Sequence, residues 1–192
     1  QRDKNVQIQG NSLKLSFKGK KGVQHEIDIS DRGLAKLVKK CRDIPGQELF
    51  QYYTRDGERR SIDSGKVNNY IKEISCCDFT AKDFRTWAGT MHTLKHLAEF
   101  EYPESQTLKK KIMLTAIDQV AAKLGNTRAI CKKSYIFPAL LEEYESGALK
   151  PYLKKLSRSA DFTGERGLNP DEKVLLSFLK AQRAKKLRKQ RA

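Results

Sequence analysis

A chain of 192 residues can bury a core in one or two domains. Its 39 lysines and arginines outnumber 23 acids, and the net charge of +16 points to a polyanion, with nucleic acid the first candidate and a membrane surface the second. No run of about 18 apolar residues could span a bilayer and no signal-peptide pattern is present, which disfavours a membrane role.

Val6 and Ile8 already read as strand, so the chain, which begins at Gln1, is expected to be a piece of a longer protein. Leu13, Leu15 and Phe17 alternate with polar residues, as do Val23, His25, Ile27 and Ile29; both runs have the period of half-buried strands. Gly19-Lys20-Lys21-Gly22 between them predicts a hairpin with a lysine pair at its tip. Ser30 or Asp31 can cap a helix with Leu34, Leu37, Val38 and Cys41 on its apolar face, stopping before Pro45-Gly46. Leu49-Phe50-Gln51-Tyr52-Tyr53 is a short apolar stretch, and Thr54-Arg55-Asp56-Gly57 a turn.

Val67, Tyr70, Ile71 and Ile74 form a second helical stripe. Thr80 is expected to cap a long helix with Phe84, Trp87, Ala88, Met91 and Leu94 inward, ending near Tyr102-Pro103. Ser105 is expected to cap another, with Leu108, Ile112, Ala116, Val120 and Leu124 on one face and Gly125 just past its end. Pro138 opens a short helix ended by Gly147. Residues 157–169 read as a linker. Asn169-Pro170-Asp171-Glu172 is a helix start, with a stripe of Val174, Leu175, Phe178 and Leu179 and a basic end, Arg183 to Arg191, expected to be solvated or frayed. The predicted fold is α+β and mainly helical, an N-terminal β-hairpin or small sheet followed by a helical bundle. Residues 1–156 would form the main domain, 157–169 a linker and 170–192 a C-terminal helix with a basic tail.

Tyr135 stands out because Lys132 and Lys133 sit beside it and Arg128 lies a few residues before. An ordinary phenol ionises near pH 10 and is a poor nucleophile alone. Phosphoryl transfer by tyrosine also needs donors for the phosphoryl oxygens and an acid for the leaving oxygen. Lys20 at the hairpin tip is a candidate acid. Lys82 and Arg85 lie in the first turns of the Thr80 helix, where N–H groups and the dipole favour an anion; Arg85, following Phe84, is placed at the core boundary. His92 and His96, four apart, could form a metal pair, but no third ligand is evident and no metal site is expected. His25 reads as structural. Cys41, Cys76, Cys77 and Cys131 make no C-x-x-C pair and read as free thiols in a reducing compartment.

Four segments in order carry a family likeness. They are Phe17-Lys18-Gly19-Lys20 with His25-Glu26 beyond it; Arg42-Asp43-Ile44-Pro45-Gly46-Gln47-Glu48-Leu49-Phe50-Gln51-Tyr52; Phe79-Thr80-Ala81-Lys82-Asp83-Phe84-Arg85-Thr86-Trp87; and Leu124-Gly125-Asn126-Thr127 with Ser134-Tyr135-Ile136. Together they resemble the catalytic domain of type IB DNA topoisomerases, of the bacterial and poxvirus type, over most of residues 3 to 145. The resemblance implies a tyrosine recombinase/topoisomerase IB-like catalytic fold and a 3′-phosphotyrosyl intermediate at Tyr135. It implies that Lys20 is the general acid and that Arg85 binds non-bridging oxygens. Asn126, nine residues before Tyr135, stands where many relatives have histidine and can donate one hydrogen bond without carrying charge. Lys21, Lys82, Arg128, Lys132 and Lys133 would contact DNA.

The family's other catalytic arginine precedes the hairpin, and no stretch here matches it or the separate N-terminal clamp domain. The chain alone is therefore expected to bind DNA but cleave it poorly. Relaxation without ATP or metal, no cofactor, a monomer, and a bacterial, cytoplasmic, nucleoid-associated location complete the expectation. A tyrosine recombinase and a non-catalytic DNA-binding module are the alternatives.

Overall fold

A computed structural model describes residues 5–19, 22, 24–46, 48–156 and 167–191. The chain divides into two compact units, Gln1–Ala81 and Lys82–Ala192.

In the first unit, strands β1 (Val6–Gln9), β2 (Ser12–Lys18) and β3 (Gln24–Ser30) form an antiparallel sheet in that order. Leu13 pairs with Ile8 and Ile29, and Leu15 with Val6 and Ile27, so the alternating apolar residues share one face. Farther along that face Phe17 and His25 stack at 5.3 Å between ring centroids, a structural role for this histidine. Helix α1 (Arg32–Asp43) starts at Asp31, whose side chain accepts from the Leu34 N–H at 2.8 Å. Val38 joins Val6 and Leu13 in a small core, with Leu49 and Ile29 against it. The anticipated α1 face is narrower than expected: Ala35 and Val38 are buried, but Leu34 and Leu37 are exposed. A small sheet accommodates one line of residues, and the flanking leucines fall to either side.

A two-stranded hairpin follows, β4 (Gln51–Tyr53) with β5 (Arg59–Ser61), closed by the Thr54–Gly57 turn in which Gly57 takes φ +78°. β5 escaped the sequence reading because Arg59-Arg60-Ser61 has no apolar residue to alternate. Helix α2 (Ser64–Ser75) is capped by Asp63 and ends on Cys76 at φ +50°. Its predicted stripe is real as a pattern but is not packed: α2 has no buried residue.

The second unit is a helical bundle. Its elements are α3 (Ala81–Ala98), α4 (Gln106–Leu124), α5 (Arg128–Ser134), α6 (Pro138–Ser146), α7 (Lys150–Leu153) and α8 (Pro170–Arg191). Leu94 and Leu97 of α3, Ile117 of α4, Leu140 and Tyr144 of α6, and Leu175 and Phe178 of α8 belong to one continuous core. Trp87 and Tyr135 pack at its margin. Phe84 and Leu108, expected inward, are exposed, because each lies in the first turns of a helix, ahead of where its buried residues begin. Ser105 occupies the N-cap position of α4 without a side-chain capping bond. The end of α6 at Gly147 and the start of α8 at Asn169 fall where the sequence puts them. The basic end of α8 is exposed over residues 183–190, and the helix continues through Arg191. No helix among the described residues is long and apolar enough to cross a membrane.

Candidate active site

Tyr135 lies where α5 ends. Its N–H and that of Ile136 both donate to the Cys131 carbonyl, at 2.9 and 3.1 Å. The chain then turns away, and the Phe137 N–H donates to Thr90 Oγ1 of α3 at 3.1 Å. Thr86, one turn earlier on α3, donates its hydroxyl to the Ser134 carbonyl at 3.4 Å. Between these two threonines the backbones nearly touch: a Cβ on Gly89 would come within 2.4 Å of the Tyr135 carbonyl oxygen. Only a glycine allows this approach. Tyr135 is therefore held by its backbone, from α5 on one side and α3 on the other, while its half-buried ring stays accessible.

Arg85 stands over that ring, its guanidinium carbon 5.0 Å from the ring centroid. The same side chain donates through Nη2 to the Leu124 carbonyl at 2.6 Å. Asn126 donates through Nδ2 to the same carbonyl at 2.8 Å. The local sequence explains the convergence. Gly125 ends α4 in the left-handed region at φ +62°, the Asn126 N–H reaches back to Ala121, and the Asn126 side chain folds over the last carbonyl. Thr127 then caps α5, accepting from the Ile130 N–H. Arg85, Asn126 and Tyr135 are thus brought together by three helix ends. Arg85 keeps four further N–H donors beyond the one spent on Leu124.

Arg85 does not owe its place to a core boundary at Phe84, contrary to the expectation from the sequence. Phe84 is 64% exposed, so no buried neighbour anchors the arginine. The Leu124 carbonyl and the Tyr135 ring do so instead.

Lys82, Lys132 and Lys133 are exposed. Arg128 is engaged by Asp118 of α4 through both Nε and Nη2, which holds the Asp118 carboxyl below the usual carboxylate range. Lys20 and Lys21 lie outside the described residues. Burial pushes the Cys131 thiol up, with nearby Arg85 opposing, and Cys131 serves as a packed small residue beneath the site. The His92 and His96 pair gains no metal partner; His96 Nδ1 is 2.9 Å from Glu99, and no group of three potential ligands is found among the described residues.

The sequence reading missed Thr86, Gly89 and Thr90. A glycine inside a helical pattern is a signal of close packing, and Gly89 was the available clue. It also missed the hold on α3 from α8: Trp87 Nε1 donates to Glu172 at 3.1 Å, and Lys95 pairs with fully buried Asp171 at 3.0 Å.

A mainly helical unit with arginine, amide and tyrosine at joined helix ends, preceded by a small sheet, belongs to a known class. Residues 2–160 match the family described as eukaryotic DNA topoisomerase I, catalytic core, and the chain belongs to this type IB topoisomerase family. It is 30% identical over 152 residues to DNA topoisomerase 1B of Acanthamoeba polyphaga mimivirus, a match that covers 76% of this chain and 45% of that protein. The chain thus spans less than half the length of that relative. The expected bacterial origin and nucleoid location find no support here, since the relative is viral and the family is described from eukaryotes.

Proposed function

We propose that this chain is the catalytic part of an enzyme that relaxes supercoiled duplex DNA through a transient single-strand break. The Tyr135 phenol oxygen gives up its proton to solvent and attacks the scissile phosphorus, forming a 3′-phosphotyrosyl bond as the bond to the 5′ oxygen breaks. That oxygen takes a proton and leaves as a 5′-hydroxyl. The free strand rotates, and its hydroxyl then attacks the phosphotyrosyl phosphorus, restoring the backbone and the phenol. One phosphate ester replaces another at each step, so no ATP is consumed and religation needs no external energy.

The observation that carries this reading is the Arg85 guanidinium 5.0 Å from the Tyr135 ring centroid. A phosphate at the phenol oxygen would meet the unspent donors of Arg85, and it could draw the Asn126 amide from the Leu124 carbonyl. Such placed donors stabilise the charge that builds on non-bridging oxygens. Lys20, by its resemblance to the family's acid, protonates the leaving oxygen, and a second arginine is expected from upstream of the hairpin. Lys21, Lys82, Lys132 and Lys133 contact the backbone of the duplex. Arg128 would join them by exchanging Asp118 for phosphate. The protein acts as a monomer, and residues 1–156 supply the catalytic domain.

The test is Tyr135→Phe in the full-length protein. It should abolish the covalent adduct trapped by denaturant while DNA binding is retained, because one oxygen is removed and the basic surface is untouched. Plasmid relaxation at the normal rate by this variant would remove Tyr135 as the nucleophile.

A further inference from the structure

Helix α8 has two halves of opposite character. The first is fixed to the bundle. Asn169 Oδ1 accepts from the Glu172 N–H at 2.8 Å, and Glu172 accepts in return from the Asn169 N–H at 3.0 Å. Asp171 is fully buried against Lys95, and Leu175 and Phe178 are fully buried in the core. The second half has no such burial, and residues 183–190 are all exposed. From Phe178 to Arg191 the helix runs on for about 20 Å at roughly 1.5 Å per residue.

Residues 180–191 carry seven lysines and arginines and no acid. Glu143 of α6 pairs with Lys185 at 2.9 Å and also hydrogen-bonds Gln182, which steadies this half along its length. Glu143 also acts on Lys189, but residues 180–191 contain no acid to offset the remaining cations: Lys186 lies one turn from both Arg183 and Lys189, and like charges at that spacing repel. A helix held in this state at an anchored root presents its cations at low conformational cost. Leu187 is the single large apolar side chain in this half, so it lacks the apolar face that an interfacial membrane helix requires. Duplex DNA supplies one phosphate charge per about 1.7 Å of axis, or roughly a dozen over the length of this rod. That density matches seven cations and would relieve their repulsion.

We propose that the basic half of α8 is a further contact surface for the backbone of duplex DNA, besides the surface around Tyr135. The choice of DNA as the polyanion rests on the function proposed above. The contact is with phosphates, is independent of base sequence, and adds to the salt-dependent part of affinity.

The experiment measures affinity of the full-length protein for non-specific duplex DNA across a series of salt concentrations. Lys180, Lys186 and Arg188 are changed together to glutamine, leaving the Lys185–Glu143 pair intact. Loss of three phosphate contacts should reduce the slope of log affinity against log salt by about 2 to 3. Affinity at 0.15 M salt should fall on the order of a hundredfold. A charge-preserving triple change, Lys180→Arg, Lys186→Arg and Arg188→Lys, should keep the original slope. An unchanged slope in the glutamine variant overturns the proposal. So does an equal drop in the charge-preserving variant, since helix integrity rather than charge would then be responsible. Covalent adduct formation by the unsubstituted protein is scored separately. An adduct with an unchanged slope removes the α8 surface and keeps the enzyme; a reduced slope without an adduct keeps the surface and removes the enzyme.

Discussion

The two units of this chain differ in how firmly they hold their helices. In the first, α2 buries none of its residues and α1 buries two, Ala35 and Val38. In the second, α4 alone buries Ile112, Met113, Ala116, Ile117, Val120 and Ala121 among others, and α3, α6 and α8 share that core. The candidate nucleophile lies in the second unit, and its backbone is held by α5 and against α3. The contrast shows where positional accuracy resides. A reaction that needs atoms placed within fractions of an ångström draws its platform from close-packed interior, because such interiors do not deform continuously.

The largest effect should follow from the tightest point of that platform. Gly89→Ala adds a methyl within 2.4 Å of the Tyr135 carbonyl oxygen, and a backbone atom cannot swing aside as the end of a long side chain would. The gain in helix propensity, about 1 kcal/mol, does not offset a forced shift of α3 from the Tyr135 segment. Adduct formation by the full-length enzyme should fall by about 10²-fold, with stability lowered by about 1–3 kcal/mol. Near-normal cleavage in single-turnover assays would mean that the two backbones do not approach in this way.

Next is the core itself. Phe178 is fully buried in α8 and meets Phe137 and Tyr152 edge to face, at 6.5 and 5.2 Å between centroids. Phe178→Ala should destabilise the second unit by about 3–5 kcal/mol in denaturant unfolding. Because Phe137 adjoins the Tyr135 segment, adduct formation should decline alongside. A loss below about 1 kcal/mol would show α8 to be loosely attached.

These two residues illustrate what a sequence can disclose. Periodicity located the hairpin strands and most helices, since alternation and 3.6-residue spacing follow from backbone geometry. The α8 start was legible because Asn169, Pro170 and the acids each act locally. Tyr135, Arg85 and Asn126 were found through motif order, and the meeting of Arg85 and Asn126 on the Leu124 carbonyl depends on the Gly125 turn that the glycine announced. Burial was less legible. Leu34, Leu37, Phe84 and Leu108 have apolar side chains in phase, but whether a neighbouring element covers them is a property of tertiary arrangement. Thr86 and Thr90 act through hydroxyl contacts with a segment more than forty residues away, and no local pattern encodes such a partner.

A smaller effect separates the units by pH. Partial burial, reinforced by Lys123, His96 and Lys95, lowers the His92 pKa from 6.5 to about 4. Above pH 6.5 His92 is neutral folded or unfolded and contributes no pH dependence. Between pH 6.5 and about 4 the unfolded chain takes up the proton and the folded one does not, so stability falls as pH falls. With the side chain half exposed to screening, the loss across this window should be about 1–2 kcal/mol. His92→Gln should flatten the profile there. If its unfolding free energy keeps the same dependence on pH, another group is responsible.

The smallest expected effect tests the weakly buried side of the contrast. Tyr70 and Ile74 of α2 are 61% and 62% exposed, and among the described residues no ring contact or hydrogen bond engages either side chain. Neither contributes to the small core formed by Val6, Leu13 and Val38. Replacing each by alanine removes little buried area, and alanine is the better helix former. The two terms oppose one another, so Tyr70→Ala and Ile74→Ala should each change unfolding free energy by no more than about 0.5 kcal/mol. The Asp63 cap, whose carboxylate accepts from the Lys66 N–H at 2.9 Å, remains in both variants and keeps the helix start intact. An Asp63→Ala change should therefore cost more than either, about 1 kcal/mol. If Tyr70→Ala or Ile74→Ala instead costs 2 kcal/mol or more, that face of α2 is covered in the working protein, and the difference in burial between the units would have to be redrawn.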